Sequence, residues 1–149
     1  MAQQQQSSGV PKWVNSMMSS ILRSPFHGAI SDKILLITFT GRKSGKEYST
    51  PVSYTRHNGE LLVFTHGAWW RNLRGGATVK VRVQGKELQG LAEPVDADLS
   101  AIAEGLNAHL RHVPGDAKFY NVTIGENGAL NADEINRAAQ DTVMIRIKA

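Results

Sequence analysis

Hydrophobic residues follow two different periods along the chain. Between Trp13 and Leu22 they recur at helical spacing, after Pro11 and before Pro25, which predicts an amphipathic N-terminal helix. From Ile34 onward the apolar runs mostly have the period of a β-strand. They predict six strands, at Ile34–Thr40, Tyr48–Arg56, Leu61–His66, Thr78–Gln84, Glu87–Val95 and Thr142–Lys148.

Turn residues join several of these strands into hairpins. Asn58-Gly59 separates the second strand from the third, and Gly85-Lys86 separates the fourth from the fifth. Pro51 lies inside the second strand, where it has no N–H to donate. We therefore expect an edge, a bulge or a ligand beside that strand.

Helical patterns occupy the remaining segments. They predict a short helical piece at Trp69 to Arg74, a helix from Asp98 to about Arg111 that ends at Pro114, and a short helix from Ala132 to Ala139. Six mostly antiparallel strands with flanking helices predict an α+β fold built on a small barrel. Residues 10–149 should form this single domain, and the Gln- and Ser-rich residues 1–9 a disordered tail.

Composition narrows the class of protein. The 149 residues are 41% hydrophobic, without an apolar run of bilayer length or the features of a signal peptide, so we expect a cytoplasmic protein. The N-terminal helix could pack in the core, cover a pocket or contact a membrane peripherally. The chain has no cysteine, and its five histidines show no metal-binding pattern, so we expect no metal site.

Positive charge is concentrated early in the chain. The net charge of +4 comes from 17 Lys and Arg against 13 Asp and Glu, with Arg42, Lys43, Lys46, Arg71 and Arg74 prominent. No zinc finger, recognition helix or basic strand with interleaved aromatic residues is present, so we expect no nucleic-acid partner.

Three of these cations stand between and beside two glycines in the segment Thr40 to Lys46. Glycines let backbone N–H groups approach an anion, so the segment predicts a phosphate or carboxylate site between two strands. It is not a nucleotide P-loop, because too few residues separate Gly41 from Gly45 and a strand follows instead of a helix. A solvated basic turn is the plain alternative.

Three motifs give the chain a family resemblance. They are the strand and loop ILLITFTGRKSGK at residues 34–46, Thr50-Pro51-Val52-Ser53-Tyr54 downstream, and Trp70-Arg71-Asn72-Leu73 before Val79-Lys80-Val81. In this order they resemble the deazaflavin-dependent nitroreductase and quinone reductase family. The likeness covers roughly residues 12–96 well and the remainder loosely.

The resemblance implies a split β-barrel of the FMN-binding type that holds coenzyme F420, whose tail carries a phosphate and glutamates. Arg42, Lys43, Ser44 and Gly45 would then meet the tail. Backbone near Thr50, Pro51 and Val52 would line the deazaflavin ring, and Trp70 and Asn72 would flank the phosphate side. FMN is the alternative cofactor, since its single phosphate could also satisfy the cations.

Two further residues are candidates for catalysis. Only Gly67 and Ala68 separate His66 from Trp69, where family members commonly have a longer segment, so we expect a more open groove. His66 could hydrogen-bond the cofactor or substrate, and Tyr120 could orient an acceptor oxygen or donate a proton. Each also has a purely structural interpretation, as a histidine at a strand end and a buried tyrosine.

The implied activity is hydride transfer from reduced F420 to a quinone-like, nitroaromatic or unsaturated acceptor, by a monomer or a homodimer. The residues themselves show no carboxylate pair and no Ser-His-Asp set. That absence also fits a non-enzymatic carrier of an acidic lipid or flavin-like ligand, with the N-terminal helix as its lid.

Overall fold

A computed structural model describes residues 32–149, and in it six antiparallel strands close into a barrel. The order of neighbours around the barrel is β1-β2-β3-β6-β5-β4. The strands are β1 Ile34–Thr40, β2 Glu47–His57, β3 Glu60–Thr65, β4 Ala77–Val83, β5 Lys86–Val95 and β6 Val143–Lys148. The predicted α+β barrel is confirmed, with strand ends within about two residues of the prediction and His66 just beyond β3.

Two α-helices flank the barrel, and side chains cap both of them. Helix α1 is Leu99–His112, where Asp98 accepts from the Ala101 N–H, and helix α2 is Ala132–Gln140. The predicted piece near Trp69 is a 3₁₀ helix, Trp69–Leu73. Two more 3₁₀ helices were not predicted, at Pro114–Tyr120 and Glu126–Gly128. Among residues 32–149, no helix is long and apolar enough to cross a membrane.

The predicted N-terminal helix and the predicted tail at residues 1–9 lie outside the described residues, as does the first part of the predicted domain at 10–149.

The core has two layers, one inside the barrel and one on its outer face. Alternate residues of each strand, such as Ile37, Val63 and Ile145, fill the interior. The opposite faces of β3 and β6 carry Leu62, Phe64 and Met144, which pack against α1, α2 and the Pro114–Tyr120 helix. Period-two alternation therefore builds both layers, because β3 and β6 carry apolar side chains on both of their faces.

The barrel opens between β2 and β3. β2 pairs with β1 from Glu47 to Ser53, but its pairing with β3 begins only at Tyr54↔Val63. The Tyr54 N–H donates to the Lys33 carbonyl, on the β1 side. Since alternate residues turn their backbone groups to the same side, Pro51 faces away from β1, where no described strand pairs with it. This agrees with the expectation of an edge beside Pro51.

Several connections meet at one end of the barrel. β1 ends and β2 begins there, β3 leads from there into the Trp69–Leu73 helix and β4, and β6 starts there. We call it the loop end, and define it as residues 41–46, 66–76 and 141–142.

A hydrogen bond to a buried histidine ties the Pro114–Tyr120 helix to α1. The fully buried His109 places Nε2 3.0 Å from Oδ2 of Asp116. Burial raises the pKa of the Asp116 carboxyl, but hydrogen bonds from His109 and the Ser53 hydroxyl outweigh it, so the pKa is lowered from its ordinary value of 3.8. Asp116 thus connects α1, β2 and the segment that leads to Tyr120.

We expect Asp116→Asn to lower the free energy of unfolding by about 1–2 kcal/mol at neutral pH, because a charge-assisted hydrogen bond becomes a neutral one. The folded pKa is lowered, so the stabilisation is present above the unfolded pKa and is lost as the pH falls through the folded pKa. The difference between wild type and variant, measured by urea unfolding, should therefore shrink on acidification below the ordinary value of 3.8.

Asp96→Asn is the matched control, because Asp96 is exposed and has no ion-pair partner among the described residues. A difference for Asp116→Asn that is absent at neutral pH, or constant with pH, would contradict the role of the hydrogen bonds to the Asp116 carboxylate.

Candidate functional site

The loop between β1 and β2 is closed by its own backbone. The Gly41 N–H donates to the Lys46 carbonyl at 2.8 Å, and the Gly45 N–H donates to the Gly41 carbonyl at 2.9 Å. Gly45 has φ +71°, which side chains rarely allow, and a Cβ on Gly41 would lie 2.7 Å from both the Ser44 Oγ and a Tyr48 ring carbon. Both glycines are therefore needed for the shape of the loop.

The Ser44 hydroxyl also serves the loop. Its oxygen accepts from the Lys46 N–H at 3.2 Å and shares a 3.1 Å hydrogen bond with the Tyr48 hydroxyl. The family resemblance implies that Ser44 meets the ligand, and in the structure its hydroxyl also holds the turn in place.

Asn72 joins the loop to the Trp69–Leu73 helix. Its Oδ1 accepts from the Arg42 N–H at 2.9 Å, while its Nδ2 donates to the Trp69 carbonyl at 2.8 Å. The Arg42 guanidinium also donates to the Arg71 carbonyl at 3.1 Å. The loop and the W-x-N-L motif, which are separate in sequence, thus form one surface.

Two arginines extend the positive surface beyond the predicted residues. The guanidinium carbons of Arg74 and Arg71 lie 4.9 and 6.0 Å from the ring centre of Trp70. Trp70 is only 8% exposed and belongs to the barrel core. Its ring therefore packs against the arginines and presents little surface to a ligand. The sequence showed Arg71 and Arg74 as members of a cluster of cations. That clustering alone did not assign them to the candidate site.

The cations of the loop end have no acidic partners. Within the described part of the chain, no carboxylate lies within 4.0 Å of any of them, and the neighbouring Glu47 pairs with Lys80 instead. These cations, which we call the loop-end cations, are Arg42, Lys43, Lys46, Arg71 and Arg74. Uncompensated, exposed positive charge of this density favours an anion with several negative groups.

The three residues of β2 that were predicted to line the deazaflavin ring lie on two opposite sides of the strand. Thr50 and Val52 turn their side chains toward the barrel interior, and the hydroxyl of buried Thr50 has no partner in the described structure. Pro51 lies on the outer side, and its carbonyl faces away from β1. Pro51 therefore borders the opening between β2 and β3. Thr50 and Val52 can reach this opening only with their backbone atoms.

His66 and Tyr120 come together although 53 positions separate them in sequence. Their ring centres are 5.1 Å apart in an edge-on contact with an interplanar angle of 61°. Both line a cavity of about 300 Å³, together with Phe119, Asn121 and Asp141. Burial, and then the charge of Asp116, raises the pKa of the Tyr120 hydroxyl, so it stays neutral and can donate a hydrogen bond.

The cavity and the opening lie at the same end of the barrel. If the β2–β3 register is extended beyond Tyr54↔Val63, His66 falls opposite Pro51. Phe119 is 63% exposed beside the cavity, and Asn121 turns the chain there with φ 56°. Phe119, Asn121 and Asp141 were not predicted, because only tertiary packing brings them to His66.

The described residues contain no group of three or more His, Asp or Glu side chains that could hold a metal ion.

Comparison with solved structures supports the fold. An F420-H2-dependent reductase is 20% identical, and the match covers 76% of this chain and 93% of that chain with a TM-score of 0.51. A protein solved as a domain-swapped dimer is also 20% identical, with coverages of 90% and 96% and a TM-score of 0.52. A FAD-binding protein from Mesorhizobium loti is 17% identical, with coverages of 83% and 88% and a TM-score of 0.50. The shared architecture is the split β-barrel.

Comparison of sequences assigns the family. No curated protein sequence matches the chain. Residues 22–116, more than half of the chain, match the family model of F420H(2)-dependent quinone reductase. The chain therefore belongs to the F420H2-dependent quinone reductases, a family of oxidoreductases that work with coenzyme F420.

Proposed function

We propose that this protein is an F420-dependent reductase that transfers a hydride to a quinone-like, nitroaromatic or unsaturated acceptor. The observation that carries the proposal is the group of loop-end cations, which have no carboxylate partners among residues 32–149, with Asn72 joining the loop to the Trp69–Leu73 helix. In a chain of this family, that surface is the natural site for the anionic tail of the cofactor.

The loop-end cations fit a tail with a phosphate and several carboxylates. Arg42 and Lys43, on the glycine loop, would bind the phosphate, Arg42 through a planar fork and Lys43 as a point charge. Arg71 and Arg74, fixed over Trp70, would bind the glutamates. A single phosphate would leave most of this charge unused, which favours F420 over FMN.

The opening beside β2 fits the ring portion of the cofactor. The Pro51 carbonyl faces this opening. Pro51 has no N–H, so its carbonyl is the only backbone hydrogen-bonding group that it presents there. Reduced F420 supplies the hydride when it is bound. The protein's contribution is to place ring and acceptor and to exclude water, which explains a site without a conventional catalytic set.

The cavity of His66 and Tyr120 fits the acceptor. Its aromatic lining, including exposed Phe119, suits a flat apolar molecule, and the neutral Tyr120 hydroxyl can donate to an oxygen that becomes negative during reduction. His66, whose side chain is exposed, can exchange protons with solvent. We assign the acceptor to this cavity on these grounds.

The first prediction on function concerns Lys43. Lys43→Ala should weaken F420 binding by about 1–3 kcal/mol, because a charge-assisted contact is lost, and added salt should weaken the wild type more than the variant. Quenching of F420 fluorescence measures both. Lys86→Ala removes the same charge from the β4–β5 turn, at the opposite end of the barrel, and should leave the affinity unchanged. Equal affinities for wild type and Lys43→Ala would make the loop a solvated turn.

The second prediction separates F420 from FMN. Arg74→Ala should reduce the affinity for F420 roughly tenfold and hardly change that for a deazaflavin without phosphate and glutamates, because only the tail reaches Arg74. Arg74→Lys keeps the charge and loses the planar guanidinium that lies over the Trp70 ring, so an intermediate affinity is expected. Titration of the wild type with FMN completes the test, and tighter binding of FMN than of F420 would overturn the choice of cofactor.

The third prediction concerns Tyr120. Tyr120→Phe removes one hydroxyl and keeps the ring that contacts His66, so kcat/KM for a naphthoquinone should fall about tenfold, the value of one hydrogen bond in the transition state. The affinity for F420 should not change. Oxidation of reduced F420, followed by absorbance, measures the rate. An unchanged rate would remove Tyr120 from the acceptor site.

A further inference from the structure

His66 is anchored through only one of its two ring nitrogens. Its Nε2 lies 3.2 Å from Oγ1 of Thr142, a residue of the turn between α2 and β6. Its Nδ1 has no hydrogen-bond partner among residues 32–149, and the side chain is exposed at the acceptor cavity. The two nitrogens therefore have different environments.

The hydrogen bonds of Thr142 determine which nitrogen carries the proton. Thr142 is only 3% exposed, and its hydroxyl lies 2.8 Å from the Ala138 carbonyl oxygen. A carbonyl oxygen cannot donate, so the single hydrogen of the hydroxyl must point to Ala138. Toward His66 the same hydroxyl can only accept, and Nε2 must be protonated. The neutral ring then has its lone pair on Nδ1.

We propose that Thr142 is a positioning residue that fixes the protonated Nε2 of His66 and so makes Nδ1 the atom that exchanges a proton with the acceptor. This inference rests on the function proposed above. It assigns a task to a buried threonine that contacts neither the loop-end cations nor the β2 opening.

The proton balance of the reduction needs such an atom. An acceptor that takes up a hydride gains one hydrogen nucleus and two electrons, and one of its oxygens is left with a negative charge. The Nδ1–H bond of the imidazolium breaks, an O–H bond forms on that oxygen, and the electron pair of the broken bond stays on Nδ1 as its lone pair. The ring remains neutral with Nε2–H in place, and solvent returns the proton to Nδ1.

Two other titratable groups of residues 32–149 lie beside the His66 ring. Tyr120 contacts it edge-on and is held neutral by burial, and Asp141 lines the same cavity from the end of α2. Tyr120 would orient the acceptor oxygen as a neutral donor, which leaves proton exchange to His66.

Histidine NMR tests the anchoring without any need for activity. In the long-range proton–nitrogen spectrum of ¹⁵N-labelled protein, at a pH above the histidine range, His66 should show a protonated Nε2 and an unprotonated Nδ1. The Nε2–H proton should give a resolved signal, because the Thr142 hydroxyl protects it from exchange. Thr142→Val, of similar shape but without the hydroxyl, should lose this signal, and Thr142→Ser should keep it. A protonated Nδ1 in the wild type would overturn the inference.

Kinetics tests the consequence for the reaction. Thr142→Val should lower kcat for a naphthoquinone roughly tenfold, with KM and F420 affinity little changed, and Thr142→Ser should recover most of the loss. In a His66→Ala background, Thr142→Val should have no further effect, because Thr142 acts through His66.

The two assays separate the possible failures. An equal loss with and without His66 would show that Thr142 serves only α2, and would refute the inference even in an active reductase. A protein without reductase activity but with the expected histidine spectrum would refute the proposed function and confirm the anchoring. Because the Ala138 carbonyl also accepts from the Asp141 N–H, Thr142→Val leaves it satisfied, and the variant should fold.

Discussion

Strand β2 changes its hydrogen-bonded neighbours along its length, and the rest of the site depends on where this change occurs. Along its first half it pairs with β1 alone, and only from Tyr54 onward does it pair with β3 as well. A proline at position 51 costs nothing on the unpaired side, whereas a hydrogen bond would be lost if β3 continued past it. Pro51 therefore suits the stretch of β2 that lacks a β3 partner, and His66 falls opposite it when the β2–β3 register is extended.

The strands could be predicted from sequence because their signals are local. Alternation from Ile34, the Asn58-Gly59 turn and the Gly85-Lys86 turn each depend on a few consecutive residues. The Pro114–Tyr120 helix was missed for the opposite reason. Its position depends on the buried contact between His109 and Asp116, and neither residue carries a helical pattern into that segment.

The residues of the candidate site show the same difference between local signals and tertiary contacts. The glycines and cations of the β1–β2 loop are close together in sequence, so the sequence predicted an anion site there. The interaction of Asn72 with Arg42 spans 30 positions, and the stacking of Arg74 on Trp70 requires the 3₁₀ turn between them. The pairing of His66 with Tyr120 also depends on tertiary structure, although the family resemblance named each residue separately. The task of the Thr142 hydroxyl had no signal in the sequence, because a threonine before a strand is ordinary.

The closure of the barrel sets the order in which this site can form. β1, β2 and β3 are joined by short turns, but β6 must arrive from far along the chain to pair with β3, as Leu61↔Ile147 and the Glu60–Arg146 ion pair show. Contacts of such long separation form late in folding, after their loop entropy has been overcome. The contact between His66 and Thr142 spans 76 positions and lies where β6 begins, so it belongs to this last step. The β1–β2 loop is closed by hydrogen bonds within residues 41–46, whereas the contact that anchors His66 exists only when β6 is in place beside β3.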